Sequence, residues 1–199
     1  MARFSVAYAS SEGRTRLVVD HLADALRAHD HQVTVDDVGT PNAAEAVALA
    51  DAVVLAGSIH GGRLQPRLVR FASAHGVALS EHPSALMIVS ISAASSDATV
   101  RERQHEYLAT FLAATPWRPD VVEFVAGALR PDTLGPLRRS QAARVARNVG
   151  VDPKGEVDFT DWGSVKRFAE SLARWFPRVG VPLRAPGRNE PMRPEPLRW

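Results

Sequence analysis

The sequence contains no cysteine. This absence excludes disulfides, iron–sulfur clusters, thiolate zinc sites and cysteine nucleophiles, so any redox chemistry requires a bound organic cofactor. The seven histidines show no metal-ligand spacing, and we expect no metal site. Long hydrophobic runs are also missing, since none approaches the roughly 18 residues of a membrane-spanning helix. Because we also expect no signal peptide, we predict a cytoplasmic protein.

Lysine is scarce as well. Of the 24 basic side chains only Lys154 and Lys166 are lysines, and the net charge is +2. An arginine bias more often reflects genome composition than function, so it does not indicate a nucleic-acid partner. Residues 177–199 contain five arginines and six prolines with almost no periodicity, which predicts a disordered tail. The remainder, residues 1–176, has the length of a single domain.

Short apolar runs typical of β-strands alternate with segments of helical periodicity along residues 1–176. Strands are predicted at 4–9, 33–37, 52–56, 85–89 and 121–126. Helices are predicted at 13–28, 43–50 and 65–74, after a cap at Ser96 or Asp97, and from 160 to 176. This alternation predicts an α/β fold: a doubly wound, five-stranded parallel sheet in the flavodoxin-like order 2-1-3-4-5.

The loop after the first strand is rich in hydrogen-bond donors. It consists of Ser10, Ser11, Glu12, Gly13, Arg14 and Thr15. Hydroxyl groups, a flexible glycine and the N–H groups of the following helix favour binding of a phosphate monoester. An equally simple interpretation is a helix cap formed by Ser10 or Ser11. The loop has neither the glycine spacing of a dinucleotide site nor the Lys-Ser or Lys-Thr of a Walker loop.

Two further loops of small residues follow the third and fourth predicted strands. The first contains Ser58, Ile59, His60, Gly61 and Gly62, and the second contains Ser90, Ile91, Ser92, Ala93 and Ala94. In the predicted sheet order, the carboxyl ends of strands one, three and four meet where the topology switches direction. The three loops therefore predict one ligand site, and a single phosphate loop favours a mononucleotide.

Several motifs show a family resemblance that extends over residues 3–176. They are the sequences at 12–15, 57–59, 117–120, 126–130 and 154–162. With these motifs the chain resembles the flavodoxin superfamily and, within it, the menaquinone-dependent protoporphyrinogen IX dehydrogenases. The first two motifs occur throughout the superfamily, whereas the last three indicate the dehydrogenases.

The resemblance implies flavin mononucleotide (FMN) as the cofactor. The loop at 10–15 would hold its phosphate, and the loops at 58–62 and 90–94 would flank its isoalloxazine ring. The cofactor would carry out the hydride chemistry. Proteins of this kind pass electrons from a porphyrinogen to a membrane quinone, so the resemblance implies a flavoprotein oxidoreductase of haem biosynthesis with possible peripheral contact to the inner face of the cell membrane.

Three arginines are candidates for binding the substrate carboxylates. Arg63, Arg118 and Arg130 could pair with porphyrin propionates, because guanidinium binds carboxylate with two hydrogen bonds. Ion pairs with Asp120 or Asp161 explain Arg118 and Arg130 equally well. The basic segment 137–147 forms either a membrane-surface helix or a solvated helix face.

Two other functions are compatible with the sequence. One is a small electron-transfer flavodoxin, which the basic tail and the absence of aromatic residues in the ring-flanking loops make less favourable. The other is a binding module that has kept the fold without enzymatic activity. The absorption spectrum of the purified protein distinguishes this module from a flavoprotein. The physiological acceptor and the oligomeric state do not follow from the sequence.

Overall fold

The computed structural model of the chain describes residues 1–95, 97–129 and 157–176. Its sheet contains the long strands β1 (Arg3–Ala9), β2 (Gln32–Asp37), β3 (Ala52–His60), β5 (Ser84–Ser90) and β6 (Val121–Ala126), and the two-residue strand β4 (Arg63–Leu64). The long strands are all parallel, in the order β2-β1-β3-β5-β6. This confirms the predicted order 2-1-3-4-5, including the position of the second strand at an edge.

Helices cover both faces of the sheet. The helices α1 (Arg14–Arg27) and α6 (Trp162–Trp175) pack on one face, whereas α2 (Asn42–Leu49), α3 (Pro66–Ala74), α4 (Gly76–Ser80) and α5 (Ala98–Ala113) pack on the other. The central strands are accordingly apolar on both sides. In β3, Val54 faces α1 and α6, while Val53 and Leu55 face the opposite layer.

The two helices of the first layer form because their apolar residues recur every three to four positions. In α6, Val165, Phe168 and Leu172 are buried on one side. The helix begins where it is predicted to, because the Asp161 carboxylate accepts a hydrogen bond of 3.0 Å from the Ser164 N–H. In the same way Asp97, one of the two predicted caps, accepts a hydrogen bond of 2.8 Å from the Thr99 N–H and starts α5.

The structure corrects the prediction of a loop at 58–62. Strand β3 continues to His60 and turns back into β4, so that His60 pairs with Arg63. Gly61 and Gly62 form this turn with φ angles of 58° and 80°. Two residues of positive φ are what a two-residue hairpin requires, and glycine adopts them without strain. The stretch is therefore a β-hairpin, which the alternation of strands and helices does not reveal.

Two other local structures differ from the sequence-based expectation. The stretch after β5 is a short 3₁₀ helix, Ile91–Ala94, and not an open loop. A small antiparallel pair, β7 (Ala128–Leu129) with β8 (Val157–Asp158), joins the end of β6 to the start of α6. It brings residues 157–162, the described part of the motif at 154–162, close to the carboxyl edge of the sheet.

Several predictions concern residues outside the described part of the chain. They are the role of Arg130, the helix predicted for the basic segment 137–147 and the tail at 177–199. The boundary of the domain at residue 176 also stays a prediction. Among the described residues, no helix is both long enough and apolar enough to cross a membrane.

Candidate functional site

The first turn of α1 begins without a side-chain cap. The residue that precedes the helix is Gly13, whose φ is 78°, and no described side chain caps the helix there. The alternative in which Ser10 or Ser11 caps the helix is therefore wrong. Because the N–H groups of a first helical turn have no partner within the helix, this end offers several donors and a partial positive charge to an anion.

A cavity of about 80 Å³ that opens to solvent lies beside this turn, where β1, β3, β5 and β6 end. Its lining comes from four separate parts of the chain: Ser10, Glu12, Arg14, Thr15, Ser58, Ile59, Val89, Ser90, Ile91, Gly127 and Ala128. The cavity thus draws on all three predicted loops. Their convergence follows from the parallel topology, which places the carboxyl ends of these strands at the same edge.

The lining combines small hydroxyl side chains with apolar ones. The Ser58 hydroxyl accepts a hydrogen bond of 2.7 Å from Gln65, and the hydroxyls of Ser90 and Ser92 lie 3.1 Å apart. These contacts fix the side-chain positions of Ser58 and Ser90. Thr15 is 1% exposed, so its side chain is held inside the first turn of α1. The site therefore suits a ligand that has a compact anionic end and an apolar body.

Arg14 is the cationic side chain among the described lining residues. It forms an ion pair with Asp158 and lies over the ring of Trp162, with the guanidinium carbon 5.7 Å from the ring centre. Burial opposes ionisation of Asp158, but the hydrogen bond from the Thr160 N–H and the Arg14 guanidinium outweigh it and lower the pKa of this carboxyl. The phosphate loop is thereby tied to β8 and α6.

Other predicted site residues lie near the cavity without lining it. Ser11 is exposed, and Ser92, Ala93 and Ala94 belong to the 3₁₀ helix beside it. Gly61 and Gly62 form the turn of the hairpin that ends at Arg63 and Leu64, and His60 is the last residue of β3. This hairpin approaches α5, since a Cβ on Gly62 would lie 3.5 Å from the Tyr107 ring.

The structure places Arg118 far from the cavity. It precedes β6 and therefore lies at the amino-terminal edge of the sheet, opposite the site. Its guanidinium donates hydrogen bonds to the carbonyls of Thr115 (2.7 Å) and Trp117 (2.8 Å). The prediction that Arg118 belongs to the substrate rim is wrong, because a connection before a parallel strand cannot reach the edge where that strand ends. Arg63 is exposed on the hairpin, outside the lining.

Three lining residues are missing from the sequence-based prediction: Val89, Gly127 and Ala128. Gly127 follows β6, and its N–H donates to the Ser90 carbonyl at 3.0 Å. A Cβ at this position would lie 3.3 Å from the Val89 side chain, so glycine allows a close approach of the two strand ends. The motif at 126–130 marks this place, but its contribution to the site becomes visible only with the strand order.

Comparisons with known proteins agree with this geometry. A family model described as a flavodoxin domain matches residues 5–153. A Leishmania major protein named protoporphyrinogen IX dehydrogenase [quinone] is 29% identical over 185 residues, covering 91% of this chain and 76% of the relative. An Escherichia coli K12 protein of the same name is 28% identical over 170 residues, covering 84% of this chain and 93% of the relative. The crystal structure of oxidised flavodoxin 1 from Bacillus cereus superposes with a TM-score of 0.52 at 14% identity. The match covers 87% of this chain and 98% of that flavodoxin.

Proposed function

The chain belongs to the flavodoxin domain family, and we propose that it oxidises protoporphyrinogen IX to protoporphyrin IX with a quinone as the electron acceptor. Membership of the family makes the protein an FMN flavoprotein, and its relatives indicate an oxidoreductase. The particular substrate and acceptor are the proposal. The observation that carries it is the match to two proteins of that name along most of the chain.

The residues at the site fit FMN. A phosphate monoester matches the uncapped first turn of α1, and the buried hydroxyl side chain of Thr15 lies in the same turn. The apolar side chains of Ile59, Val89 and Ile91 in the lining suit a flat ring system. We infer that residues 10–15 hold the phosphate and that the ends of β3 and β5 flank the isoalloxazine.

The protein residues bind and orient, because FMN supplies the hydride-transfer chemistry once it is bound. The side chains of Ser58 and Ser90 are fixed by Gln65 and Ser92, which limits the positions that a ring can take between them. None of the described lining residues is aromatic. One side of the groove therefore leaves space for a large planar substrate to approach the ring.

The overall reaction removes hydrogen from the porphyrinogen in two-electron steps. In each step the substrate loses two electrons and two protons, and one quinone takes up both pairs to become a quinol. The acceptor is thus named by class, and no other oxidant is required. Contact with a membrane that contains the quinone belongs to the same proposal.

The test follows porphyrin fluorescence with FMN-loaded protein under anaerobic conditions, with and without a menaquinone-type quinone. We expect porphyrin to form rapidly when quinone is present. In a parallel aerobic sample without quinone, where oxygen is the only acceptor, porphyrin should form much more slowly. Free FMN at the same concentration, without protein, is the control. Absence of porphyrin formation above this control would overturn the proposal.

Electron transfer between proteins is the second candidate, because the described fold superposes on a flavodoxin. The same preparation distinguishes the two functions. If no porphyrin forms and the reduced protein passes single electrons to a cytochrome, the protein is an electron carrier. The absence of aromatic side chains in the described lining favours the dehydrogenase.

A further inference from the structure

The end of β3 leaves the sheet as a narrow arm. Its register with β1 ends at Gly57 and its register with β5 ends at Ser58. In the described part of the chain, Ile59 and His60 therefore pair only with β4. A two-stranded hairpin by itself is at best marginally stable in water, because it has too few contacts to hold its shape. This hairpin arm, residues 59–64, needs support from outside the sheet.

The base of the hairpin arm is fixed by Gln65, the residue that follows it. The Gln65 N–H donates to the Ser58 carbonyl at 3.2 Å, and the side-chain amide donates to the Ser58 hydroxyl at 2.7 Å. Gln65 is 4% exposed, so both bonds are shielded from water. They do not fix the tip of the arm, where Gly61 and Gly62 have no side chains that could pack.

The tip of the arm rests on α5 through Tyr107. A Cβ on Gly62 would lie 3.5 Å from Cε1 of the Tyr107 ring and 3.6 Å from its hydroxyl oxygen, and no other side chain comes as near to this position. Tyr107 is partly buried and packs with the apolar layer that contains α5. The glycine turn thus lets the backbone come close to an aromatic side chain, which supports it from below.

The same helix also supports the opposite wall of the cavity. α5 packs against β4 and against the 3₁₀ helix that precedes it in the chain. Ile59 belongs to the hairpin arm and Ile91 is the first residue of the 3₁₀ helix, and both line the cavity. Because the two walls rest on one helix, the distance between them depends on how the arm is held against α5.

We propose that Tyr107 is a positioning residue that holds the hairpin arm against α5 and so sets the width of the slot between Ile59 and Ile91 for the flavin ring. The inference rests on FMN as the cofactor of the proposed function, but not on the oxidation of porphyrinogen. It concerns the ring and not the phosphate, which the proposed function assigns to residues 10–15. Tyr107 is not among the described lining residues, so it acts through the arm.

The first measurement is amide hydrogen exchange of the hairpin arm in the flavin-free full chain. In Tyr107→Ala, residues 59–64 should exchange at least about threefold faster than in the wild type, because the arm loses its support. Tyr107→Phe keeps the ring and should stay within about twofold of the wild type. Leu112→Ala is the matched control, since Leu112 is a partly buried residue of the same helix and layer and is not among the near neighbours of Gly62. It should leave exchange of the arm unchanged.

The second measurement compares FMN with riboflavin, which has the same ring but no phosphate, by fluorescence titration. In Tyr107→Ala both affinities should fall by about three- to tenfold and to the same extent, since either flavin must then order the arm on binding. The visible circular dichroism of bound FMN at saturation should also weaken, because the ring takes up more orientations. Leu112→Ala, which should lose stability only, is expected to change neither quantity.

Several outcomes would overturn the inference. Unchanged exchange of the arm in Tyr107→Ala would mean that other contacts support its tip. Faster exchange with unchanged affinities would mean that the slot does not depend on the arm. A loss confined to FMN would place the effect at the phosphate, and an equal loss in Leu112→Ala would make it a general softening of the helix layer. A loss in Tyr107→Phe as large as in Tyr107→Ala would assign the effect to the hydroxyl and not to packing of the ring.

The porphyrin assay of the wild type tests the proposed function separately. If no porphyrin forms while the exchange and flavin results are as expected, the proposed function fails and the role of Tyr107 stands. If porphyrin forms and the Tyr107→Ala results match those of Leu112→Ala, the role of Tyr107 fails and the proposed function stands.

Discussion

The two edges of the sheet differ in whether their polar groups have hydrogen-bond partners. At the amino-terminal edge the Trp117 indole donates to the Ser84 hydroxyl at 3.1 Å, and the Ser84 N–H donates to the Asp120 carboxylate at 2.8 Å. Arg118 satisfies two carbonyls beside them. At the carboxyl edge α1 begins without a side-chain cap, and Arg14 keeps a buried donor without a described partner.

This difference separates residues whose polar groups are paired within the fold from residues that leave polar groups unpaired. The run 117–120 is one of the motifs that indicate the dehydrogenases, yet every contact described for it is internal. Its function is to join the starts of β5 and β6. The loop at 10–15 has the weaker motif and the open hydrogen-bonding groups. Motif strength is therefore a poor guide to where a ligand binds.

The largest expected effect comes from a substitution at the amino-terminal edge of the sheet. Trp117 is fully buried, and its replacement by alanine in Trp117→Ala removes a large core side chain. We expect a loss of about 3–5 kcal/mol in the free energy of unfolding, which lowers Tm by roughly 6–20 °C. Thermal and denaturant unfolding of the flavin-free protein measure it. Trp175→Ala, at a partly buried tryptophan of α6, is the control and should cost less.

FMN affinity of folded Trp117→Ala is measured well below its Tm. A loss of binding free energy as large as the loss of unfolding free energy would mean that the amino-terminal edge also contributes to the cofactor site. We expect the affinity to stay unchanged, because the residue lies across the sheet from the cavity.

An intermediate effect is expected from a substitution at the carboxyl edge of the sheet. Thr15→Ala removes a hydroxyl from the first turn of α1 and should weaken FMN binding by about 1.5–3 kcal/mol, or ten- to a hundredfold. Its effect on Tm should be well below that of Trp117→Ala. Thr15→Ser, which keeps the hydroxyl, is the control and should retain most of the affinity. An FMN titration in which Thr15→Ala matches the wild type would remove this hydroxyl from the cradle.

The smallest effect concerns Glu123, which lies in the middle of β6 between the two edges. Burial raises the pKa of its carboxyl above the ordinary value of 4.5. The folded state therefore holds a proton that the unfolded state releases, and stability is lost as the pH rises above 4.5 and through the raised pKa. Glu123→Gln should flatten this decline and raise Tm at pH 7 by less than about 4 °C.

The measurement is a set of thermal unfolding curves between pH 4 and pH 8. The exposed Glu106 of α5 provides the control, since Glu106→Gln removes the same charge without relieving burial. A Glu123→Gln profile that runs parallel to the wild type would mean that burial of this carboxyl does not destabilise the fold.

The fold could be predicted because its information is local. The apolar runs at 52–56 and 85–89 have no polar side to face water, which requires helices on both faces of the sheet. The cap at Asp161 and the buried spacing of α6 fix its start in the same way. The hairpin at Gly61 and Gly62 could not be predicted, because a glycine pair serves a loop and a tight turn equally well.

The site could be predicted in part. The sequence placed Ser10, Ser58 and Ser90 at strand ends that a parallel sheet must bring together. It also assigned Arg118 to the wrong edge on the basis of charge and motif, although the predicted strand at 121–126 already placed this residue before the strand and so at the amino-terminal edge. Gly127 was not predicted as a site residue, because its importance comes from the close approach to Val89, which is visible only in the folded chain.

The sequence by itself determined the layers, the strand order and a donor-rich loop, because periodicity and turn chemistry act between neighbours in the chain. Only the tertiary structure decided which polar groups find partners. Asp158 and Trp162 meet Arg14 across most of the chain length, and that contact depends on how β7 and β8 pair. Whether a donor is satisfied is a property of three-dimensional neighbours, and no pattern of residues along the chain records it.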